Sequence, residues 1–373
     1  MDKRIILAVA GAGKTYYICH EINSQKRNLI LAYTHENIHN IKSELIDACD
    51  RMPELTTVLT FDSFIYRYFI CPYEPSIASH FEQYNFHSRG ITTIDPPSKV
   101  IKRNGRIIPN PKYKNKGQLE HYITNDDQYY CASISELVMS VKKGRNSLLK
   151  RAAARLNLFY DQIFIDEFQD FREHDYDLII GLSKQLNSVL LVGDYYQHSV
   201  SATNNTGKPF KNKNKDISYN DFVAELKRLK FDIDEDTLSK SRRCSKDVCN
   251  FVKEKLGINI ESAEINTGKV KWVAKDQVET ILQNPKITKL VYNDASSYSF
   301  ESMNWSYSKG DTVDTACVIL TEKFEQLDRD EFSIAGISQQ TINKLYVAMT
   351  RSKGDLFLIK ASVFKKYKAL YSV

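Results

Sequence analysis

The sequence lacks the features of a secreted or membrane-embedded protein. Its seven cysteines are scattered, odd in number and without a CxxC pair, which argues against a zinc site or a disulfide framework and favours a reducing cytosol. The apolar run at 5–10 is too short to cross a bilayer, and it leads directly into glycines and a lysine, unlike a signal peptide. We therefore expect a cytoplasmic protein with no membrane partner.

Strong charge imbalance, internal repeats and long low-complexity tracts are also missing. The 52 Lys and Arg against 46 Asp and Glu give a net charge of +6, which permits a nucleic-acid partner without requiring one, because a local basic groove matters more than the total. A hydrophobic fraction of 42% and an aromatic fraction of 11% argue against disorder. With 373 residues, the chain is long enough for two domains.

What is present is an alternation of short apolar runs and stretches of helical spacing, which is typical of a parallel sheet covered by helices. Buried strands are predicted at 4–9, 28–33, 56–60, 162–165 and 188–192, and again at 269–273, 289–292, 316–320 and 355–359. The centre of the stretch that interrupts the first series predicts a hairpin with a turn at Asn104 and Gly105. We predict one domain from 1–68 with 131–235, an insertion at 69–130 and a second domain at 236–373.

A glycine-rich segment follows the first predicted strand and opens a helix. Its glycines let several backbone N–H groups face one anion, Lys14 can reach the β- and γ-phosphates of a nucleotide, and the Thr15 hydroxyl can ligate Mg²⁺. An ordinary glycine-rich turn is the alternative, which the strand–turn–helix context disfavours. The predicted nucleotide-binding residues are Ala8, Val9, Ala10, Gly11, Ala12, Gly13, Lys14 and Thr15.

The predicted strand at 162–165 ends in adjacent acids. Nucleotide hydrolysis requires a carboxylate that holds Mg²⁺ and a base for the attacking water. We expect Asp166 to be either a direct ligand of Mg²⁺ or a residue of the second coordination shell, and Glu167 to orient the attacking water. The alternative is that these acids form the N-terminus of a helix, where carboxylates are favourable. This alternative is less favoured, because two adjacent acids and Gln169 follow directly after an apolar strand.

The segment 166–170, Asp-Glu-Phe-Gln-Asp, resembles motif II of the UvrD/Rep branch of superfamily 1 DNA helicases. The phosphate loop of that family tends to begin with alanine, so Ala8 agrees with the resemblance. Further segments resemble the family's other motifs in the expected order: motif Ia at 32–37, its TFHSF element at 60–64, and motifs III to VI at 191–197, 238–245, 308–310 and 345–353. Motifs I, II, III and VI are the specific ones.

The resemblance implies two RecA-like P-loop domains, each a parallel sheet with helices on both faces, with a small insertion in the first and no second large insertion. It implies ATP and Mg²⁺ between the domains, with Gln197 sensing the γ-phosphate and Arg243 and Arg351 acting as arginine fingers from the second domain. For either arginine alone, a surface salt bridge is the alternative. The catalytic set implied is Lys14, Glu167, Gln197, Arg243 and Arg351, with Thr15 and Asp166 at the metal.

The resemblance also implies that single-stranded DNA, or a duplex with a single-stranded tail, crosses the tops of both domains. Its contacts in the first domain would be Tyr33, Thr34, Phe61 and Ser63. For each aromatic, packing in the core is an alternative of at least equal weight. The insertion is either a phosphate-tracking arm or a solvated hairpin. Its basic residues are Lys99, Lys102, Arg103, Arg106, Lys112, Lys114 and Lys116.

The sequence departs from the family pattern in ways that affect strand separation more than ATP chemistry. The resemblance to the family is the sole basis for expecting ATP rather than GTP as the substrate. The segment 198–203 lacks the family's stacking aromatics, and Thr312 stands where the family has an acid. Only a short stretch separates motifs IV and V.

Two hypotheses follow from these features. The first is a translocase or helicase stimulated by single-stranded DNA. The second is a regulatory module that hydrolyses ATP to switch a partner nuclease or other effector, loosely similar in architecture to the helicase-like subunit of Gabija-type anti-phage systems. A plain nucleotide-binding scaffold is disfavoured, because the base, the sensor and both arginines are present.

Overall fold

The computed structural model describes residues 2–143, 146–198, 207–212 and 215–372. The chain divides into two compact units. The first consists of Met1–Ile5, Thr15–Leu191 and Ser201–Asp232, and the second of Ile6–Lys14, Val192–Val200 and Ile233–Val373. The functional domain boundaries given above remain a prediction. Among the described residues, no helix has the length and apolar character needed to span a bilayer.

The first sheet has six strands in the order β14-β1-β11-β10-β2-β3. Strand β10 pairs in parallel with both β11 and β2, and β2 pairs in parallel with β3. The strands of this part of the chain are β1 Asp2–Leu7, β2 Asn28–Ala32, β3 Thr56–Thr60, β4 Gly90–Thr92, β5 Val100–Arg103, β6 Arg106–Pro109, β7 Gln128–Tyr130, β8 Lys142–Lys143, β9 Asn146–Ser147, β10 Gln162–Ile165, β11 Ser188–Gly193, β12 Lys211–Asn212, β13 Lys215–Asp216 and β14 Asp232–Asp234. Every residue of β2 is buried, which explains why it reads as a continuous apolar run.

Side-chain caps begin the helices that follow β2 and β3. Thr34 accepts a hydrogen bond from the N–H of Asn37, and Thr60 accepts one from the N–H of Ser63, so each satisfies an N–H group at the start of a helix. The helices here are α1 Lys14–Glu21, α2 His35–Cys49, α3 Phe61–Ile65, α4 Glu74–His80, α5 Cys131–Ser140, α6 Leu148–Phe159, α7 Glu173–Ser183 and α8 Tyr219–Arg228.

The predicted hairpin is confirmed. Strands β5 and β6 pair antiparallel, with Arg103 opposite Arg106. Between them Asn104 has a φ of 50° and Gly105 a φ of 76°. Two consecutive positive φ values define the tight turn whose twist matches that of the flanking strands, and the Asn-Gly pair favours this turn because both residues tolerate the left-handed region.

The second unit contains a five-stranded sheet in the order β17-β21-β20-β18-β19, in which every neighbouring pair is parallel. The strands here are β15 Lys240–Ser241, β16 Glu261–Ser262, β17 Val270–Trp272, β18 Thr288–Val291, β19 Ser302–Asn304, β20 Ala316–Ile319 and β21 Leu356–Ile359, and the helices are α9 Lys246–Leu256, α10 Val278–Gln283, α11 Gln339–Met349 and α12 Ala361–Tyr371. The predicted α/β fold with parallel sheets is therefore confirmed.

Candidate active site

Two glycines shape the loop of residues 8–15. Gly11 has a φ of +72° and Gly13 a φ of +87°, values that side-chain-bearing residues rarely adopt. A Cβ on Gly11 would lie 2.6 Å from Cβ of Arg243 and 2.8 Å from Oγ of Ser241. Gly11 is therefore required both by its backbone conformation and by the close approach of segment 241–243, which brings the predicted Arg243 beside the loop.

The loop is held by backbone hydrogen bonds within the second unit. The N–H of Ala8 donates to the carbonyl of Gly193 at 2.7 Å, and the N–H of Val9 donates to that of Leu238 at 3.0 Å. The carbonyl of Gly11 accepts from the N–H of Arg242 at 2.9 Å. These contacts tie residues 8–11 of the loop to segments 193 and 238–242 before Lys14 starts α1.

Thr15 and Asp166 meet in the first unit. The Thr15 hydroxyl donates to Oδ2 of Asp166 at 2.8 Å, and the N–H of Glu167 donates to Oδ1 at 2.8 Å. Asp166 is only 1% exposed. A hydroxyl and a carboxylate oxygen are the hard ligands that Mg²⁺ prefers, together with phosphate oxygens and water. The oxygen atoms present thus fit the predicted metal, although within the described residues no group of three or more His, Cys, Asp and Glu side chains could hold an ion unaided.

Glu167 adopts an unusual backbone conformation directly after β10. Its φ of 52° and ψ of 45° are left-handed, which costs a residue with a side chain about 1–2 kcal/mol. Its carboxylate accepts a hydrogen bond from the side-chain amide of Gln169. Strained backbone of this kind is frequent at functional sites, and here it occurs at the acid that directly follows Asp166 in the chain.

Gln197 lies in a short 3₁₀ turn, Tyr195–Gln197, after β11. Asp194 caps this turn, since its Oδ1 accepts from the N–H of Tyr196 at 3.0 Å and its backbone carbonyl accepts from the N–H of Gln197 at 3.0 Å. Asp194 is fully buried and Gln197 is 3% exposed. The following residues 199–206, which include most of the segment predicted to lack stacking aromatics, lie outside the described part of the chain.

Both predicted arginine fingers donate hydrogen bonds to backbone carbonyls of the second unit. Arg243 donates from Nη1 to the carbonyl of Thr350 at 3.2 Å. Arg351 is 1% exposed, and its Nη1 donates to the carbonyls of Ser308 at 3.2 Å and Asp311 at 3.3 Å. The structure thus brings Arg243 next to the glycine-rich loop, whereas the guanidinium of Arg351 holds the loop of the motif V segment.

The residues predicted to contact nucleic acid occupy different environments. Thr34 is exposed, and Tyr33 and Ser63 are half-buried. Phe61 is only 2% exposed, and its ring packs against Phe171 with a centroid distance of 4.8 Å. The described conformation therefore leaves no face of Phe61 for a base, and core packing, the alternative considered from the sequence, describes this residue.

Sequence reasoning missed Tyr346. Its hydroxyl accepts a hydrogen bond from the N–H of Ala10 at 2.8 Å and donates to Oδ2 of Asp194 at 3.2 Å. The one available signal is that Tyr346 places a single polar atom inside the apolar run 345–349, the first part of motif VI. That signal does not reveal which partners the hydroxyl finds.

Comparison with solved structures returns viral helicases that this chain resembles at low identity. The helicase of PRRSV is 13% identical with a TM-score of 0.44, and the match covers 99% of this chain and 54% of that one. Arterivirus nonstructural protein 10, a helicase, in complex with DNA is 12% identical with a TM-score of 0.44, and the match covers 98% of this chain and 62% of that one. This chain thus spans little more than half of their length.

No curated protein matches the sequence. A family profile does: the one described as AAA domain, AAA_19, matches residues 2–203, which is more than half of the chain. The matched region contains the glycine-rich loop, the acidic end of β10 and the turn that carries Gln197. The chain belongs to the AAA_19 family of AAA domains.

Proposed function

We propose that this protein is an ATPase of the UvrD/Rep helicase type that couples ATP hydrolysis to movement along single-stranded DNA, or to unwinding of a duplex with a single-stranded tail. The observation that carries the proposal is the 2.8 Å hydrogen bond between Thr15 Oγ1 and Asp166 Oδ2. It joins the end of a phosphate-binding loop to the acid that follows a parallel strand, which is the arrangement that phosphoryl transfer from a Mg²⁺-bound nucleotide requires.

In this proposal the loop 8–15 binds the phosphates of ATP, and Thr15 and Asp166 hold Mg²⁺. The metal would neutralise charge between the β- and γ-phosphates. Glu167 orients the attacking water and accepts its proton. Its left-handed backbone supports this role, because strained backbone is frequent at functional sites.

Gln197 and the two arginines complete the proposed machinery. Gln197 senses the γ-phosphate. Arg243, next to Gly11, is the better-positioned of the two arginines to reach a phosphate. When Arg351 acts as an arginine finger, its Nη1 is proposed to exchange the carbonyls of Ser308 and Asp311 for the nucleotide. That exchange would connect the motif V loop to the presence of nucleotide.

The exposed basic hairpin β5–β6 supports a nucleic-acid partner. Lys102, Arg103 and Arg106 are all exposed, so their charges can face a phosphate backbone. Tyr33, Thr34 and Ser63 remain proposed contacts, and Phe61 acts through packing. A nucleic acid bound here would be gripped mainly through phosphates, with little base stacking from the first unit.

A regulatory subunit that senses nucleic acid and switches a partner nuclease or effector, as in phage defence, is the second candidate. It is favoured by the burial of Phe61, which removes the strongest candidate for base stacking among the proposed contacts. Such a module, which we place in the cytoplasm, requires nucleotide hydrolysis but no sustained movement along a strand.

One experiment separates the two candidates. Steady-state ATP turnover is measured with and without single-stranded DNA, and displacement of a labelled strand is measured from a tailed duplex. Turnover stimulated by DNA with strand displacement supports the helicase. Stimulated turnover without displacement supports the switch, and no hydrolysis of any nucleoside triphosphate under either condition contradicts both.

A further inference from the structure

The hydroxyl of Tyr346 joins the glycine-rich loop to the turn that carries Gln197. Tyr346 lies on α11 and is fully buried. Its oxygen accepts from the N–H of Ala10 at 2.8 Å and its proton is donated to Oδ2 of Asp194 at 3.2 Å. A hydroxyl has a single proton, so donation to Asp194 orients a lone pair towards Ala10 and the two hydrogen bonds reinforce each other.

The protonation state of Tyr346 suits both bonds. Burial raises the pKa of its hydroxyl well above the usual value, and the Asp194 carboxylate raises it further. The hydroxyl therefore keeps its proton over the physiological range. It can donate to the carboxylate and accept from the loop at the same time.

Asp194 transmits this arrangement to Gln197. While Oδ2 accepts from Tyr346, Oδ1 accepts from the N–H of Tyr196, and the backbone carbonyl of Asp194 accepts from the N–H of Gln197. One fully buried carboxylate thus takes part in both the link to α11 and the cap of the turn.

A second side chain on α11 contacts the same segment. Asn343, one helical turn before Tyr346, lies with its Nδ2 3.1 Å from Nε2 of His198. Residues three positions apart share a helix face, so α11 presents polar groups to both ends of the stretch 194–198. This stretch is therefore held by α11 at two points around Gln197.

We propose that Tyr346 is a positioning residue that holds Gln197 in register with the phosphate-binding loop, so that the sensor is in place when the γ-phosphate is attacked. The proposal rests on the proposed function, in which Gln197 senses that phosphate. The N–H of Ala10 is directed at Tyr346 and is not one of the groups offered to phosphate. Loss of the hydroxyl should therefore slow turnover more than it weakens nucleotide binding.

Tyr346→Phe removes one oxygen and keeps the ring in the core. Tyr176→Phe is the matched control, because Tyr176 is also buried and its hydroxyl finds no hydrogen-bond partner within the described residues. We expect kcat of Tyr346→Phe to fall roughly ten-fold or more, since a hydrogen bond to a charged group is lost. KM and the dissociation constant of a non-hydrolysable ATP analogue should change less than about three-fold, and Tyr176→Phe should match the wild type. An unchanged kcat, or a raised KM with kcat intact, would overturn the proposal.

A double-mutant cycle with Gln197→Ala tests the route of the effect. If Tyr346 acts through Gln197, the kcat loss caused by Tyr346→Phe should largely disappear once Gln197 has been removed. Full additivity of the two losses would show that the hydroxyl does not work through the sensor, and would overturn the proposal.

Amide hydrogen exchange of the nucleotide-free protein provides a readout that does not depend on turnover. Tyr346→Phe should speed exchange at Ala10 and at 195–197 by roughly ten-fold, because their hydrogen-bonded linkage opens more often, while Tyr176→Phe leaves both unchanged. Absence of hydrolysis in the wild type would contradict the proposed function alone. Unchanged exchange in Tyr346→Phe would contradict the linkage alone.

Discussion

At the scale of single residues, Glu167 carries the chemical step of the proposed reaction. Glu167→Gln keeps the size of the side chain but removes the base. We expect turnover to fall about 10²–10⁴-fold, the usual contribution of a general base, while ATP binding is retained. The comparison is steady-state turnover with equilibrium binding of a labelled ATP analogue.

The control is Glu36→Gln, the same substitution at an exposed glutamate on α2, which should leave turnover at the wild-type level. Turnover of Glu167→Gln close to wild type would show that another group activates the water.

Asp175 gives a pH-dependent prediction. Burial is the main cause that raises the pKa of this carboxyl, from 3.8 to about 7, while the hydrogen bond from the Ser135 hydroxyl lowers it and the nearby Asp62 raises it further. The folded protein then holds a proton that the unfolded chain has lost, so this contribution to stability is present below pH 3.8 and is lost as the pH rises to about 7.

Asp175→Asn should remove that dependence, because the neutral amide keeps a polar group facing Ser135 and carries no charge. At about pH 8 we expect the variant to be more stable than the wild type by about 1–3 kcal/mol, with little difference near pH 4. Urea unfolding at both pH values measures the free energy of unfolding of variant and wild type. The control is Asp47→Asn, the same substitution at an exposed aspartate. Equal pH dependence in variant and wild type would contradict the raised pKa of Asp175.

At the scale of elements, the hairpin β5–β6 is the clearest candidate for a nucleic-acid contact. We expect Lys102→Ala with Arg103→Ala and Arg106→Ala to weaken binding of single-stranded DNA. The slope of log affinity against log salt should also become shallower by about 2, because each phosphate contact on a single strand contributes about 0.7. Fluorescence anisotropy of a labelled oligonucleotide at several salt concentrations provides the measurement.

The control removes the same charge elsewhere on the first unit, at the exposed Lys26, Lys42 and Lys227. If that triple variant changes the salt slope as much as the hairpin variant, the hairpin has no special role and is a solvated surface element.

Elements were predictable where their pattern is local. The runs at 56–60 and 162–165 match β3 and β10 residue for residue. In β10 three consecutive apolar residues are buried, which suits a strand covered on both faces. In β3 the three threonines and one valine are β-branched, which favours a strand, and burial alternates along it. The short β19 escaped prediction, since Ser302–Asn304 has no such run and becomes a strand only by pairing with β18. Isolated pairing of this kind depends on a neighbour distant in sequence.

At the scale of the whole molecule, the family match covers 2–203, whereas the proposed arginines come from residues beyond it. The second unit includes the segment Ile6–Lys14 together with Ile233–Val373, so most of the glycine-rich loop shares a compact unit with Arg243 and Arg351. Residues supplied by both halves of the chain are thus needed for the proposed catalytic set.

The sequence by itself determined the alternation of strands and helices, the turn at Asn104 and Gly105 and the acidic end of β10, because these depend on spacing and on neighbours along the chain. Only the tertiary structure decided that Phe61 packs in the core, that Arg351 binds the carbonyls of the motif V loop, and that Tyr346 bridges Ala10 and Asp194. These contacts join residues far apart in sequence. Which partner a buried polar atom finds there is set by packing, for which no local pattern exists.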